Sequence, residues 1–171
     1  MIALVQPLIP ALRRYARALL RDRDAADDLV QDVLERAIAR WHQRQRLSSL
    51  RAWLFAILHN LAMDRLRQRG RRGHPTSIDD VPEVRLATPP TQEAAAAQRD
   101  VMALVDRLPE EQRSALLLIG VEELSYAEAA RVLDVPQGTI MSRLSRARER
   151  LRRLMEDDEA AASRPALRIV P

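Results

Sequence analysis

The 171-residue chain has no cysteine and no lysine, only three histidines, four glycines and five aromatic side chains. Without cysteine there is no disulfide framework, no thiolate metal site and no cysteine nucleophile. His42, His59 and His74 stand 17 and 15 residues apart, which is no metal-ligand spacing on one helix, so no metal and no cofactor is expected. No nucleophile with base and orienter and no glycine-rich phosphate loop can be assembled, so an enzyme finds no support. Long apolar runs are missing too. The opening MIALVQPLIPALRRYARALL holds two prolines and meets arginine by position 13, too short to span a bilayer and without a cleavage site. The expectation is a cytoplasmic protein with no membrane contact of its own.

What is present is arginine. All 28 basic residues are Arg, against 24 acids, for a net charge of +4. Genomic base composition accounts for the choice of Arg over Lys; the placement of the charge says more. Residues 1–73 carry +8, residues 74–100 carry −3 and residues 101–171 carry −1, although 138–153 alone hold six Arg and one Glu. Two basic zones flank an acidic connector.

Apolar residues recur at three and four positions nearly everywhere, and nowhere is there sustained alternation at two, so the fold class is all-α. One helix follows Val5, Leu8, Ile9, Leu12, Ala16 and Leu19. A second follows an Asp24 cap through Ala26, Leu29, Val30, Val33, Leu34, Ala37, Ile38 and Trp41. A third runs from a Ser49 cap through Leu50, Trp53, Leu54, Ile57, Leu58 and Leu61 to about Arg69, where Gly70 and Gly73 stop it. The stretch HPTSIDDVPEVRLATPPTQE, with four prolines and little periodicity, has the composition of a linker. The expected organisation is two small helical domains joined by a flexible linker: 1–73, the linker 74–92, a second domain 93–155, and a frayed, disordered tail 156–171.

The strongest local signal is LSYAEAARVLDVPQGTIMSRLSRARERLRRLM. Ser125 and Glu128 form a capping box, opening a helix with Ala129, Ala130 and Leu133 inward. Asp134 stands where a left-handed residue is wanted. From Gln137 a second helix gathers Ile140, Leu144, Ala147, Leu151 and Leu154 within about 80° of one another. Its outer face is then Ser142, Ser145, Arg146 and Glu149, edged by Met141. That is the plan of a helix-turn-helix, whose second helix enters the major groove. An ordinary helical hairpin with a charged solvent face has the same pattern.

The run LPEEQRSALLLIGVEELSYAEAARVLDVPQGTIMSRLSRARERL resembles region 4 of bacterial RNA polymerase sigma factors of the extracytoplasmic-function (ECF) group. DAADDLVQDVLERA and LRAWLFAILHNLAMDRLRQRGRR resemble region 2 of the same group. Both domains occur in the family order with a linker between. The resemblance implies a non-enzymatic initiation factor. It would bind the polymerase core through the clamp of the β′ subunit and the β subunit, read two promoter DNA elements and help separate the strands.

The family pattern implies roles for particular residues. Met141, Ser142, Ser145 and Arg146 would read the minus-35 element, with Arg143 and Arg148 on the backbone; Arg146 suits guanine O6 and N7, and Met141 a thymine methyl. For Arg143 a salt bridge to Glu149 or Asp134 is the structural alternative. Asp28, Gln31, Asp32 and Glu35 would dock on the polymerase clamp, being in part too far inside their helix to serve only its dipole. Asn60, Arg65 and Arg69 would contact the minus-10 element, with Asp64 orienting neighbouring arginines. The aromatics are Tyr15, Trp41, Trp53, Phe55 and Tyr126, of which Trp41 and Trp53 fall on core faces. Base capture on melting would therefore fall to the polar loop from His42 to Ser49, through Gln43, Gln45, Ser48 and Ser49. The 20 residues from Gly73 to Gln92 extend to roughly 65–70 Å, enough for elements about 34–68 Å apart. Relatives commonly have an anti-sigma partner, and one is expected here. Two other readings are a sigma mimic that sequesters an anti-sigma factor and a stand-alone helix-turn-helix repressor.

Overall fold

The computed structural model describes residues 2–43, 49–72 and 101–162, with backbone alone at 43, 72 and 159–162. The described residues are helical throughout apart from short turns, and no strand occurs among them. The linker 74–92 lies outside the described residues.

The opening helix is not continuous. Pro7 and Pro10 lack an amide donor, and the chain passes from α1 (Ile2–Val5) through a 3-10 turn (Gln6–Leu8) into α2 (Ile9–Leu20). Arg21 then takes a left-handed conformation (φ 54°) and closes α2. In α3 (Arg23–Ala39) the cap is Asp22, not Asp24: its carboxylate accepts from the Ala25 amide, and Asp24 lies in the first turn, where it favours the helix dipole. Ser49 does cap α4 (Leu50–Arg72), accepting from the Ala52 amide at 3.4 Å. That helix runs through Gly70 to Arg72 rather than ending near Arg69; a single glycine costs about 1 kcal/mol in a helix and does not stop one. These helices bury Leu12, Tyr15, Leu19, Leu29, Val33, Leu54, Phe55 and Leu58 among themselves. Ile38, expected inside, is 58% exposed.

The second module begins with a helical segment over 101–106, α5, followed by α6 (Glu110–Leu116), which Pro109 precedes with a non-helical conformation. A π-helical stretch (Leu117–Val121) widens the end of α6, so that the Glu122 amide bonds back to Leu117 O at 2.9 Å. Such bulges re-aim the residues after them. The helices α7 (Tyr126–Leu133) and α8 (Gln137–Ala162) complete the module. Residues 156–162, expected in the frayed tail, continue α8; Arg152 bonds Glu149 and Glu156 along it, and Asp158 pairs with Arg107 at 3.2 Å.

The two modules do not stand apart. Helix α7 packs on α4, and one continuous apolar core runs from Val5 to Ile140 through both.

Candidate nucleic-acid interface

The helix-turn-helix is built from local chemistry. Ser125 Oγ accepts from the Glu128 amide, and the Glu128 carboxylate accepts from the Ser125 amide at 3.0 Å. These bonds, the one to the Ser125 backbone foremost, hold the Glu128 carboxyl below the usual range. Asp134 closes α7 in the left-handed region (φ 51°), and the Val135 amide reaches back to Ala130 O. The inward residues of α7 are Ala129 and Val132, with Ala130 and Leu133 half-buried. Ile140, Leu144 and Ala147 bury the inner face of α8.

On its outer face Met141, Ser145, Arg146 and Arg148 are exposed. Met141, Ser145, Arg148 and Glu149 share a shallow concavity of about 330 Å³ with Tyr126. Two expected contacts are turned otherwise. Ser142 is half-buried and donates to Thr139 O at 2.9 Å. Arg143 is only 18% exposed and pairs with Glu111 of α6 at 2.9 Å, not with Glu149 or Asp134. Its one-turn offset from Ala147 carries it toward the seam with α6.

On the other module Asp28, Gln31 and Glu35 form an exposed stripe on α3, with Asp32 beside it. Asn60 on α4 is exposed. Arg65 and Arg69 are not free cations: Arg65 pairs with Asp32 at 2.5 Å and donates to Ala25 O, and Arg69 pairs with the capping Asp22 at 2.9 Å. The Ala25 amide and the Arg69 guanidinium both hold the Asp22 carboxyl low, the amide more. Asp64 does hold an arginine, Arg67. Of the loop residues, Gln45, Ser48 and the side chain of Gln43 lie outside the described residues, and Ser49 is the α4 cap.

The sequence reading missed a polar seam between the modules. Glu122, whose side chain is fully buried, receives Arg14 through two bonds of 2.8 and 2.7 Å and Arg51 at 3.3 Å, while Arg51 also donates to Glu122 O. Arg21 pairs with Asp106 at 3.2 Å. Arg113, nearly buried, stands 3.9 Å from the same carboxylate. Burial raises the Asp106 carboxyl, and burial followed by Arg21 lowers the Arg113 guanidinium. Tyr15 Oη lies 3.1 Å from His59 Nδ1, and burial pushes His59 down to about 4, with Arg143 adding to the shift. A cleft of about 380 Å³ opens beside it, between His59, Met63, Leu66 and Arg67 of α4 and Glu111, Leu133, Val135 and Arg143.

Residues 5–59 match the family model "Sigma2 domain of PhyR", and residues 98–151 match "Sigma-70, region 4". The ECF RNA polymerase sigma factor EcfG of Rhodopseudomonas palustris is 41% identical over 89% of this chain and 83% of its own. SigM of Mycobacterium tuberculosis is 38% identical over 84% and 71%. The chain belongs to the ECF RNA polymerase sigma factors. Among solved structures, the sigma factor RpoE of Bartonella quintana, in complex with the anti-sigma factor NepR, superposes with a TM-score of 0.74 at 38% identity, covering 91% of this chain and 98% of that one. CnrH, in complex with the cytosolic domain of CnrY, superposes at 0.69 and 25% identity, covering 91% and 87%. In this ECF sigma factor the helix-turn-helix is therefore the region 4 module, and the α2–α4 bundle the region 2 module. No helix among the described residues is long and apolar enough to cross a membrane, and none of their His, Asp and Glu side chains cluster as a metal site.

Proposed function

We propose that this chain confers promoter specificity on core RNA polymerase in the bacterial cytoplasm, acting by binding alone. The region 4 module reads a minus-35 element through Met141, Ser145 and Arg146, with Arg148 on the phosphates. The region 2 module docks on the β′ clamp through Asp28, Gln31, Asp32 and Glu35. It recognises and melts a minus-10 element along α4, from Asn60, Arg65 and Arg69, and through Gln43, Gln45, Ser48 and Ser49. The β subunit is a further partner within the core enzyme, and an anti-sigma factor is the expected restraint.

One observation carries this reading: a row of exposed, groove-sized side chains with two arginines lies on the helix that a capped, left-handed turn presents, in a chain of this family. Ser142 and Arg143 take supporting parts in it, since one is spent on the α8 backbone and the other on Glu111. The Arg65 and Arg69 pairs do not remove those side chains from DNA. Exposed ion pairs are worth under about 1 kcal/mol, and phosphates compete for the same guanidinium.

The mimic reading draws on the match of residues 5–59 to a PhyR domain model. Relatives at 41% and 38% identity named as sigma factors favour the first reading over it. Reconstituted transcription separates them. Purified chain mixed with bacterial core enzyme is expected to give promoter-specific transcripts; binding to an anti-sigma factor with no transcripts and no core association would support the mimic instead.

A further inference from the structure

We infer that Glu149 of α8 is a positioning residue for specificity: it reads no base itself, but holds Arg152 and Arg153 back from the phosphate backbone and so limits sequence-independent attraction to DNA. The inference deepens the reading of α8 as the groove helix and rests on it.

The run 138–153 holds six arginines and one acid, and that acid is Glu149. The six are not equivalent. Arg143 is spent on Glu111, and Arg152 and Arg153 on Glu149, whereas Arg146, Arg148 and Arg150 have no carboxylate partner among the described residues. Glu149 Oε1 accepts from Arg152 Nη2 and from Arg153 Nε, each at 2.9 Å, and Oε2 accepts from Arg152 at 3.1 and 3.3 Å. Arg152 extends its other nitrogen to Glu156 at 2.8 Å. The bonds from Arg152 foremost, then those from Arg153, hold the Glu149 carboxyl below the usual range, so it stays ionised at neutral pH.

Helical spacing puts these groups on the reading face. Arg152 and Arg153 stand seven positions beyond Ser145 and Arg146. Each falls within about 20° of the reader behind it and about 10 Å further along the axis. Glu149 lies between the two pairs, four positions after Ser145 and four before Arg153. It lines the concavity shared by Met141, Ser145 and Arg148 and, on its other flank, a second of about 480 Å³ with Arg146, Arg150 and Arg153. A recognition helix meets base edges with its N-terminal residues. Two turns on it reaches the phosphates that wall the groove, which carry no sequence information. Left free, Arg152 and Arg153 would meet phosphate on any duplex.

Exposed ion pairs are weak, and pair strength is not what makes Glu149 effective. Were phosphates to draw both arginines off, its carboxylate would remain on the same face, opposite the same phosphates. Asp32 and Asp22, which hold Arg65 and Arg69, differ in belonging to α3 and its cap rather than to the helix that carries the arginines. In a matched site the contacts of Met141, Ser145 and Arg146 fix the register of α8. On random duplex the helix settles wherever its cations find phosphate, so random DNA gains more from freed arginines than a matched site does.

The test is Glu149→Gln in the full-length chain, with binding measured by fluorescence anisotropy to a random duplex and to a duplex that the parent selects from a randomised library. Random-duplex binding should become about three- to tenfold tighter at about 0.1 M salt, with the slope of log affinity against log salt steeper by about one. The gain on the selected duplex should be smaller, so that discrimination falls. Glu149→Ala should behave alike, alanine being the best helix former. Arg152→Gln with Arg153→Gln should cost random-duplex affinity about threefold more in the Glu149→Gln background than with Glu149 in place. Equal cost in both backgrounds overturns Glu149 as the holder of the two arginines, and equal gain on both duplexes overturns its part in specificity. Relaxed preference at one base position, with random-duplex binding unchanged, would make Glu149 itself a base reader, accepting from cytosine N4, and overturn the proposal. The reading of α8 fails separately, if the parent prefers no duplex and gives no promoter-specific transcripts with core enzyme.

Discussion

Arg65, on the helix assigned to the minus-10 element, is ion-paired with Asp32, on the helix assigned to the polymerase clamp, at 2.5 Å. The pair joins two surfaces that the proposed function treats as separate. Arg65 also donates to Ala25 O at 2.8 Å, so one guanidinium braces α4 against the first turns of α3. Both side chains are partly exposed, which limits the pair to about 0.5–1 kcal/mol.

A double-mutant cycle on Asp32→Asn and Arg65→Gln tests that link. Urea unfolding should give a coupling of about 0.5–1 kcal/mol. Asp32→Asn should weaken association with core polymerase, measured by fluorescence anisotropy, while Arg65→Gln should weaken promoter opening, measured by permanganate reactivity. Strict additivity in unfolding would mean that the pair has no energetic content in solution.

Two arginines separate base reading from charge. Arg146 is exposed on the outer face of α8, so Arg146→Ala should cost about 1–3 kcal/mol of promoter binding and relax base preference at one position. Arg69→Ala should instead leave base preference intact and flatten the dependence of binding on salt by about one counterion. Because Arg69 also holds Asp22, a small loss of stability should accompany it. Selection from randomised promoter libraries, with salt titrations, distinguishes the two patterns; a uniform loss across all sequences for Arg146→Ala would remove it from base reading.

Much of this architecture is legible in the sequence because short-range chemistry governs it. The Ser125–Glu128 box, the left-handed Asp134 and the Ser49 cap depend on residues within a few positions of one another, and the structure contains all three. Shifts by one turn are less legible: Asp22 and Asp24 are equally good caps, and only the φ,ψ of Asp22 (−149°, 118°) settles the choice. The polar seam was not legible at all. Arg14 and Arg51 sit on the polar faces of amphipathic helices, and Glu122 belongs to a run, VEELS, that reads as a solvated turn. Their pairing spans 108 and 71 residues, and no periodicity reports on a partner so far away. A buried carboxylate pairing with the free-looking arginines of another module would have had to be guessed. For Arg143 the sequence offered partners on or next to its own helix, whereas Glu111 on α6 is the one that packing brings near.

Removal of the α7 cap should be felt by the whole recognition unit. Ser125→Ala leaves the Glu128 amide without its acceptor and the Glu128 carboxylate with one partner fewer. The expected loss is about 0.5–2 kcal/mol in urea unfolding, with Ser125→Asp recovering most of it. Minus-35 binding should fall less than stability, since Met141, Ser145 and Arg146 lie on α8. A loss of binding with stability unchanged would mean that Ser125 itself touches DNA.

His59 predicts how stability responds to acid. It lies between the modules with Nδ1 3.1 Å from the Tyr15 hydroxyl, facing the cleft that Arg143, Arg67, Glu110 and Glu111 also line. The Tyr15 hydroxyl and Nδ1 can share a proton in either direction, according to the ring tautomer, but a protonated ring would be desolvated and would face Arg143 with like charge. Burial holds its pKa down at about 4, against about 6.5 in an unfolded chain. Between those values the unfolded chain binds a proton that the folded one refuses, so stability rises with pH across the window. The contribution is complete above about pH 6.5 and is lost progressively as pH falls to about 4, by up to about 3 kcal/mol. Asp22 and Glu128, whose pKa values are lowered, lose their stabilisation only lower, as pH falls below the ordinary carboxylate range. Asp106, whose carboxyl burial raises, contributes a slope of the opposite sign, so the His59 part is read as the difference between the parent and a His59 variant in urea midpoints from pH 7 to pH 5. His59→Gln, which keeps a hydrogen-bonding group beside Tyr15, should flatten the profile over that range; an unchanged slope would assign the acid sensitivity to another group and leave His59 an ordinary packing residue.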